Sequence, residues 1–135
     1  MRPTLARLRA GGLRIAIAGN QPLWAEAALD AIGLPADLVA ASDRWGVHKP
    51  LPTFFARLAE EAGAAPREIA YVGDRLDNDV LPARAAGIWA VFLRRGPWGH
   101  IHATWTEREQ AHASIERLDE LPRLLGLDDG VGPGA

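Results

Sequence analysis

The amino-acid sequence predicts an α/β fold in which a parallel sheet is flanked by helices. Short apolar runs of strand length alternate with segments of helical period, which is the pattern of successive β-α-β units. Polar residues directly follow several of the apolar runs, at the strand ends where parallel sheets bind their ligands. A chain of 135 residues is long enough to form one domain with its own core.

The strands are predicted from apolar runs that Gly, Pro or polar residues interrupt. Four runs satisfy this pattern and a fifth is a short edge strand: residues 13–18, 37–41, 69–72, 88–93 and 113–115. The run at 13–18 ends at Gly19-Asn20, and the run at 69–72 ends at Gly73-Asp74. These polar ends, together with the loop that precedes Lys49, are expected around one crevice.

The helices are predicted from Pro in the first turn, Gly after the last turn and an apolar face between them. They cover residues 5–10, 22–32, 52–62, 79–86 and 119–125. Thr4 is the expected cap of the first helix. In the second helix the expected buried face is Leu23, Ala27, Leu29 and Ile32. We expect one partial domain over residues 1–127 and a flexible tail over residues 128–135.

The composition excludes several classes of protein. A net charge of −2 gives no electrostatic reason to expect a nucleic acid or membrane partner. No apolar run approaches the roughly 20 residues of a membrane span, and the N-terminus lacks an apolar signal region, so a cytoplasmic location is expected. The sequence has no cysteine, which excludes disulfides and thiolate metal sites.

Lys49 is the only lysine among fifteen basic residues. Lysine is a compact charge on a flexible stem, whereas arginine is a wide planar fork. A chain so biased towards arginine is expected to keep a lysine where one small cation must lie against a phosphate or carboxylate oxygen. Lys49 also lies in a loop rich in Gly and Pro, where functional residues concentrate. The alternative is an ordinary surface lysine.

The segment from Gly73 to Asp79 carries several acidic and amide side chains directly after a strand. Gly73 permits a sharp turn that would project Asp74 into the crevice. Crowded carboxylates favour a cation, and hard oxygen ligands suit Mg²⁺. The alternative is helix capping by Asp77 or Asn78, with Asp79 favoured by the helix dipole. Capping does not account for Asp74.

Three other features have less specific interpretations. His100 and His102 could chelate zinc in an extended loop, although no carboxylate lies near them in sequence. Residues 94–99 follow the fourth strand and would either close over a substrate or form a packed surface turn. Trp24, Trp45 and Trp89 fit positions in the core or the crevice wall. A dinucleotide site is disfavoured because the sequence has no Gly-x-Gly-x-x-Gly.

Taken together, these motifs resemble the C-terminal part of the core domain in the haloacid dehalogenase (HAD) superfamily of hydrolases. The strand 13–18 with Gly19-Asn20 resembles motif II, and Lys49-Pro50-Leu51-Pro52-Thr53-Phe54-Phe55 resembles the lysine motif III. Residues 69–79 resemble the acidic motif IV. The resemblance covers nearly the whole chain, about residues 5–125, and implies a Rossmann-like, HAD-like parallel sheet with flanking helices.

The resemblance implies a Mg²⁺-dependent phosphatase that acts on a small phosphorylated metabolite through an aspartyl-phosphate. Lys49 would neutralise the phosphoryl charge, and Asp74 would be a metal ligand. Asp79 would be a second acidic partner of the metal. Gly19 and Asn20 would bind the substrate phosphate, with backbone N–H groups in place of the family's Ser or Thr hydroxyl.

The sequence departs from the family at motif I, the Asp-x-Asp pair after the first strand. No acidic residue precedes Leu13, and the central strand that carries the pair in the family is expected to be missing from the sheet. We therefore expect a truncated product, a mis-set start or a fragment completed by a partner, inactive and marginally stable alone. An oligomer or partner would cover the exposed sheet edges. The alternative function is a catalytically inactive HAD-like domain that serves as a binding module.

Overall fold

Five parallel strands alternate with helices in the computed structural model, which describes residues 1–102 and 104–127, the side chains of residues 98–100 excepted. This architecture confirms the α/β prediction. The strands are β1 (Ala16–Gly19), β2 (Leu38–Ala41), β3 (Ala70–Gly73), β4 (Trp89–Leu93) and β5 (Ala113–Ile115). The expected tail at residues 128–135 lies outside the described residues.

The helices occupy both faces of the strand layer. They are α1 (Arg2–Ala10), α2 (Trp24–Ile32), α3 (Ser42–Trp45), α4 (Pro52–Ala62), α5 (Leu81–Ala85), α6 (Gly96–His102) and α7 (Leu121–Leu124). Short 3₁₀ turns lie at Pro66–Glu68, Thr106–Gln110 and Leu118–Glu120, and a π-helical turn, Leu76–Val80, leads into α5. None of the described helices is long and apolar enough to cross a membrane.

Two elements have the predicted bounds, and the other predicted elements differ from the structure by one to three residues at one or both ends. Helix α4 and strand β5 begin and end where the sequence places them. Helix α1 begins at Arg2 and has Pro3 in its first turn, so Thr4 lies inside the helix and is buried rather than capping it. The fixed φ of Pro3 suits the first turn of a helix, which moves the start ahead of Thr4.

The parallel sheet is interrupted between β1 and β3. Strand β1 pairs with β2, with Ala18 opposite Ala40, and β4 pairs with both β3 and β5. Among the described strands, none pairs with the other edge of β1 or of β3. The described strands therefore leave unpaired edges at β1 and β3 rather than forming a direct β1–β3 ladder.

The two parts of the sheet nevertheless belong to one layer. On one face, Ala18 of β1 and Tyr71 of β3 pack against a core that includes Phe54 and Phe55 of α4. On the other face, Ile17 of β1 and Val72 of β3 pack with Leu5 and Leu8 of α1. Because alternate side chains of a strand point to opposite faces, both cores continue across the interruption.

The strands beside the interruption are less buried than the strand farther away. Four of the five residues in β4 are buried, as expected for a parallel strand with both faces covered. In β1 and β3 no residue is fully buried, and the first residue of each, Ala16 and Ala70, is exposed. The strands β1 and β3 thus have apolar sequences but are only partly buried in this structure.

The predicted buried face of the second helix was wrong. In α2 only Ala25 is buried, while Leu23, Trp24 and Ile32 are 51, 71 and 55 % exposed. Because apolar residues lie on nearly every face of this helix, the spacing of apolar residues in the sequence does not indicate which face is buried. A polar contact selects it instead, because the Glu26 carboxylate accepts the Ala41 N–H at 2.9 Å.

Candidate functional site

Three polar segments meet where β1 and β3 end. Asn20 follows β1, Lys49 lies between α3 and α4, and Asp74 follows β3. Parallel strands bring their carboxyl ends to one edge of the sheet. The structure therefore brings the predicted site residues into one region, which we call the crevice.

Asn20 fixes the backbone of Lys49. Its Oδ1 accepts the Lys49 N–H at 2.8 Å, and its Nδ2 donates to the Lys49 carbonyl at 3.0 Å. The peptide bond between Lys49 and Pro50 is cis. The side chain of Asn20 thus orients the lysine, a contact that the sequence did not indicate. Its expected role as a donor to phosphate stays a prediction.

Lys49 forms an ion pair with Asp79. Its Nζ donates to Asp79 Oδ1 at 2.5 Å, and the two side chains are only 13 and 6 % exposed. The same Nζ lies 5.8 Å from the centre of the Tyr71 ring. Burial removes both charges from water, and this desolvation cost offsets much of their attraction. The ion pair is therefore better explained by a role in the crevice than by a contribution to folding stability.

The other carboxylate oxygen of Asp79 is also bonded. Asp79 Oδ2 accepts the Arg75 N–H at 3.3 Å. The side chain packs against the backbone of Gly73, where a Cβ atom would overlap it. Glycine is therefore required at residue 73 for this close approach, whereas its backbone does not adopt the positive φ that would itself call for glycine.

Asp74 lies at the start of the segment, half-buried. Its Oδ2 faces Gly96, where a Cβ atom would lie 3.9 Å away. Gly96 of the segment 94–99 therefore lies beside Asp74, and whether this segment closes over a substrate or is a packed surface turn stays a prediction. The helical turn begins at Leu76 after Arg75, without a side-chain cap, so capping by Asp77 or Asn78 was wrong. Asp77 instead binds Arg75, and this hydrogen bond lowers the pKa of Asp77.

Tyr71 lines the crevice below Lys49. Its ring packs edge-on against Phe55, with 5.3 Å between ring centres. Burial raises the pKa of Tyr71, and the Asp79 and Asp74 carboxylates raise it further. The phenol is therefore neutral at any physiological pH and can donate a hydrogen bond in the crevice.

The described residues offer a small donor set for a metal. They contain no group of three or more His, Cys, Asp or Glu side chains that could hold one. Mg²⁺ needs only one or two carboxylates when waters and a phosphate supply the other oxygens. Asp74 fits this chemistry, whereas Asp79 has its oxygens bonded to Lys49 and Arg75. The set is compatible with Mg²⁺, which Asp74 would hold directly while the charge of Asp79 lies beside it.

Sequence reasoning missed two polar residues that support the crevice. Glu26 holds the N–H of Ala41 and the side chain of Arg44, and His102 accepts the N–H of Leu76 at 2.8 Å. A glutamate on an otherwise apolar helix was a usable signal. The histidine had been considered for zinc, but its Nδ1 is bonded to backbone and it is fully buried.

The tryptophan predictions were partly correct. Trp45 is buried against Phe54 and Trp89 is half-buried, as expected for core or crevice-wall positions. Trp24 is exposed, because the helix that carries it turns its Glu26 side inward. At the strand ends the crevice thus combines the largely buried Lys49 and Asp79 with the half-buried Asp74.

Comparison with known proteins agrees with this geometry. The family model of haloacid dehalogenase-like hydrolases matches residues 1–87. Glyceraldehyde 3-phosphate phosphatase of Methanopyrus kandleri is 45% identical over 60 residues, 44% of this chain and 26% of that protein. Phosphoserine phosphatase of Thermus thermophilus is 39% identical over 95 residues, 68% of this chain and 38% of that protein.

A solved structure agrees over almost the whole chain. The HAD phosphatase from Thermococcus onnurineus superposes with a TM-score of 0.78 at 32% identity, over 92% of this chain and 55% of that one. The fold and the crevice define an α/β hydrolase of Rossmann-like type. The chain belongs to the haloacid dehalogenase-like hydrolases. It spans about a quarter to a half of the length of the curated relatives it matches.

Proposed function

We propose that this chain forms the phosphate- and metal-binding part of a Mg²⁺-dependent phosphatase for small phosphorylated metabolites. The observation that carries the proposal is the buried Lys49–Asp79 pair at the carboxyl ends of β1 and β3. Similar proteins that are named phosphatases support the reaction class. The proposal names no individual metabolite.

Lys49 is the proposed catalytic cation. Its Nζ sits beside Asp79, and a phosphate entering the crevice would share that charge. A cation already held in place stabilises the charge of a transferring phosphoryl group without reorganisation. The Asn20 clamp on the Lys49 backbone supports this preorganisation, and the N–H groups of Gly19 and Asn20 are the proposed substrate donors.

Asp74 is the proposed direct ligand of Mg²⁺, with Asp79 as the second acidic residue. Bound Mg²⁺ would supply charge neutralisation and orientation of the phosphate. Asp74 lies beside Gly96. Because glycine has no side chain, residue 96 leaves the Asp74 carboxylate accessible from the crevice.

The proposed route passes through an aspartyl-phosphate, which requires a nucleophilic carboxylate. Among the described residues we assign no such nucleophile, since Asp79 is bonded to Lys49 and Asp74 is assigned to the metal. We propose that a partner or oligomer covers the edges of β1 and β3. The chain by itself would then bind phosphate without turning it over.

The test separates binding from turnover. The purified chain with Mg²⁺ should broaden or shift the ³¹P signal of inorganic phosphate, and Lys49→Ala should weaken that binding roughly tenfold or more. Arg57→Ala is the control, because Arg57 pairs with Glu61 on the exposed side of α4. Equal phosphate affinity in the Lys49→Ala variant would contradict the proposal.

Hydrolysis is measured on the same samples with an aryl phosphate. Turnover should not exceed that of the Lys49→Ala variant. If turnover does depend on Lys49, the phosphatase proposal stands and our assignment of no nucleophile is wrong.

A further inference from the structure

His102 is a buried histidine that the proposed chemistry does not use. It ends α6 and is 0 % exposed. Its ring packs against that of Trp105, with ring centres 4.0 Å apart and the ring planes tilted by 35°. Buried polar side chains in proteins are matched to specific partners, so the partner of this histidine indicates what it does.

That partner is the first amide of the acidic segment. Nδ1 of His102 accepts the Leu76 N–H at 2.8 Å, and Leu76 begins the π-helical turn that runs to Val80. The first N–H groups of a helix lack partners within it. Here His102, 26 residues further along the chain, accepts this N–H, whereas the side chain of Arg75 at the N-cap position makes no capping hydrogen bond. The bond also fixes the tautomer, since an accepting Nδ1 places the proton on Nε2.

The turn that His102 holds carries the crevice carboxylates. Asp79 lies within it and points back to Lys49 and to the Arg75 N–H, and Asp74 precedes it. A shift at Leu76 therefore moves Asp79 relative to Lys49. We infer that His102 is a positioning residue: through the Leu76 amide it holds Asp79 against Lys49 and Asp74 at the crevice, and so sets the site's affinity for a divalent cation.

This inference rests on the proposed cation site, and its test uses Mn²⁺ in place of Mg²⁺. Mn²⁺ binding to the purified chain is followed by electron paramagnetic resonance. His102→Leu removes the acceptor at similar size and should weaken Mn²⁺ binding about tenfold or more, the effect seen when a supporting partner of a metal site is lost. His102→Asn keeps an acceptor near the position of Nδ1 and should restore most of the affinity.

His112 offers a matched control. Its Nδ1 accepts the Ala90 N–H at 2.8 Å, the same kind of bond, but near the amino end of β4 and away from the crevice. His112→Leu should leave the Mn²⁺ affinity unchanged. Loss of affinity in His112→Leu as large as in His102→Leu would mean a general structural effect and would overturn the inference. So would equal affinities in His102→Leu and the parent chain, or no rescue by asparagine.

Amide hydrogen exchange gives a readout independent of metal. His102→Leu should accelerate exchange at Leu76 and across residues 75–80, with β4 unaffected, and the asparagine variant should reverse this. If the parent chain binds no Mn²⁺, the proposed cation site fails and with it the effect on affinity, and exchange then decides whether His102 holds the turn. Acceleration spread evenly over the chain, or none at residues 75–80, would overturn it.

Discussion

At the scale of single residues, the Lys49–Asp79 ion pair is largely shielded from water. Both side chains are largely buried, and removing two charges from water costs several kcal/mol before their attraction offsets it. In other proteins, hydrophobic replacement of a whole buried ion pair is often neutral or stabilising, whereas removal of one partner is strongly destabilising. We therefore expect the coupling between the two side chains, rather than a net gain in stability, to be measurable.

The first prediction concerns replacement of this pair. Lys49→Met should leave Asp79 buried without its cation and lower the free energy of unfolding by roughly 3 kcal/mol. The double variant Lys49→Met/Asp79→Leu should regain most of that loss. Urea denaturation of the parent, both single variants and the double variant measures the coupling. Additive losses in the double variant would show that the two side chains do not depend on each other.

A second prediction concerns Glu26 and pH. Its hydrogen bond from the Ala41 N–H, with a smaller contribution from Arg44, lowers the pKa of Glu26 despite the opposing effect of burial. A carboxyl whose folded pKa is lowered stabilises the fold above its unfolded pKa, and this stabilisation is lost as pH falls through the folded pKa. Glu26→Gln should therefore lower the melting temperature by several degrees at neutral pH.

The difference from the parent chain should disappear in acid, below the pKa of Glu26. Thermal melts from pH 7 down to the acid limit of folding measure it. Glu61→Gln is the control, because Glu61 makes only an exposed ion pair with Arg57 and such pairs contribute little. A Glu26→Gln deficit that persists unchanged into acid would show that the carboxylate charge is not the cause.

The sequence identified the crevice residues one by one but not their partners. Lys49 stood out by composition and Asp74 by its place after a strand. The contact of Lys49 with Asp79 joins residues 30 positions apart, and no local pattern encodes it. His102 and Glu26 were missed for the same reason, since each acts on a backbone N–H of a distant element.

At the scale of elements, the bounds of a helix were predicted correctly where Pro begins the segment and Gly follows it. Helix α4 begins at Pro52 and is followed by Gly63 with a positive φ, and its predicted bounds were confirmed. The helix expected from residue 79 instead starts with the turn at Leu76. Asp77 and Asn78 had suggested a later start, but His102 supplies the cap from outside, so no capping side chain is needed locally.

A third prediction concerns the contact between β3 and this turn. Gly73→Ala would place a Cβ atom into the side chain of Asp79, and relieving such overpacking costs about 1–3 kcal/mol. We expect lower stability in urea and weaker Mn²⁺ binding. Gly19→Ala is the matched control at the end of β1, where the nearest atom would be 4.0 Å from the new Cβ. A Gly73→Ala variant as stable as Gly19→Ala would contradict the close contact.

At the scale of the whole molecule, the interruption between β1 and β3 is the dominant feature. The two parts of the sheet are joined by shared cores on both faces rather than by a backbone ladder. The resemblance predicted that a central strand would be missing, and among the described strands the second edges of β1 and β3 are unpaired. What the sequence could not predict is that the remaining strands stay in one layer, because helix packing across the interruption decides it.

A fourth prediction follows for backbone protection. Amides of β4, which is paired on both sides, should exchange most slowly with solvent. Amides on the unpaired edges of β1 and β3 should exchange faster, since exchange reports local opening. Hydrogen exchange resolved by residue measures this. Equal protection along β1, β3 and β4 would indicate that something pairs with those edges in solution, and dilution would show whether it is a second copy.

The interruption also determines how the molecule would respond to force. In a continuous sheet, pulling the first and last strands apart loads hydrogen bonds across every strand pair. Here a load applied between β2 and β5 meets no backbone hydrogen bonds at the described β1–β3 boundary. Among the described residues, the apolar side chains of α1 and α4 with their neighbours and the Lys49–Asp79 ion pair bridge it. The mechanical weak point of this chain is thus its midline, beside the residues that hold Lys49.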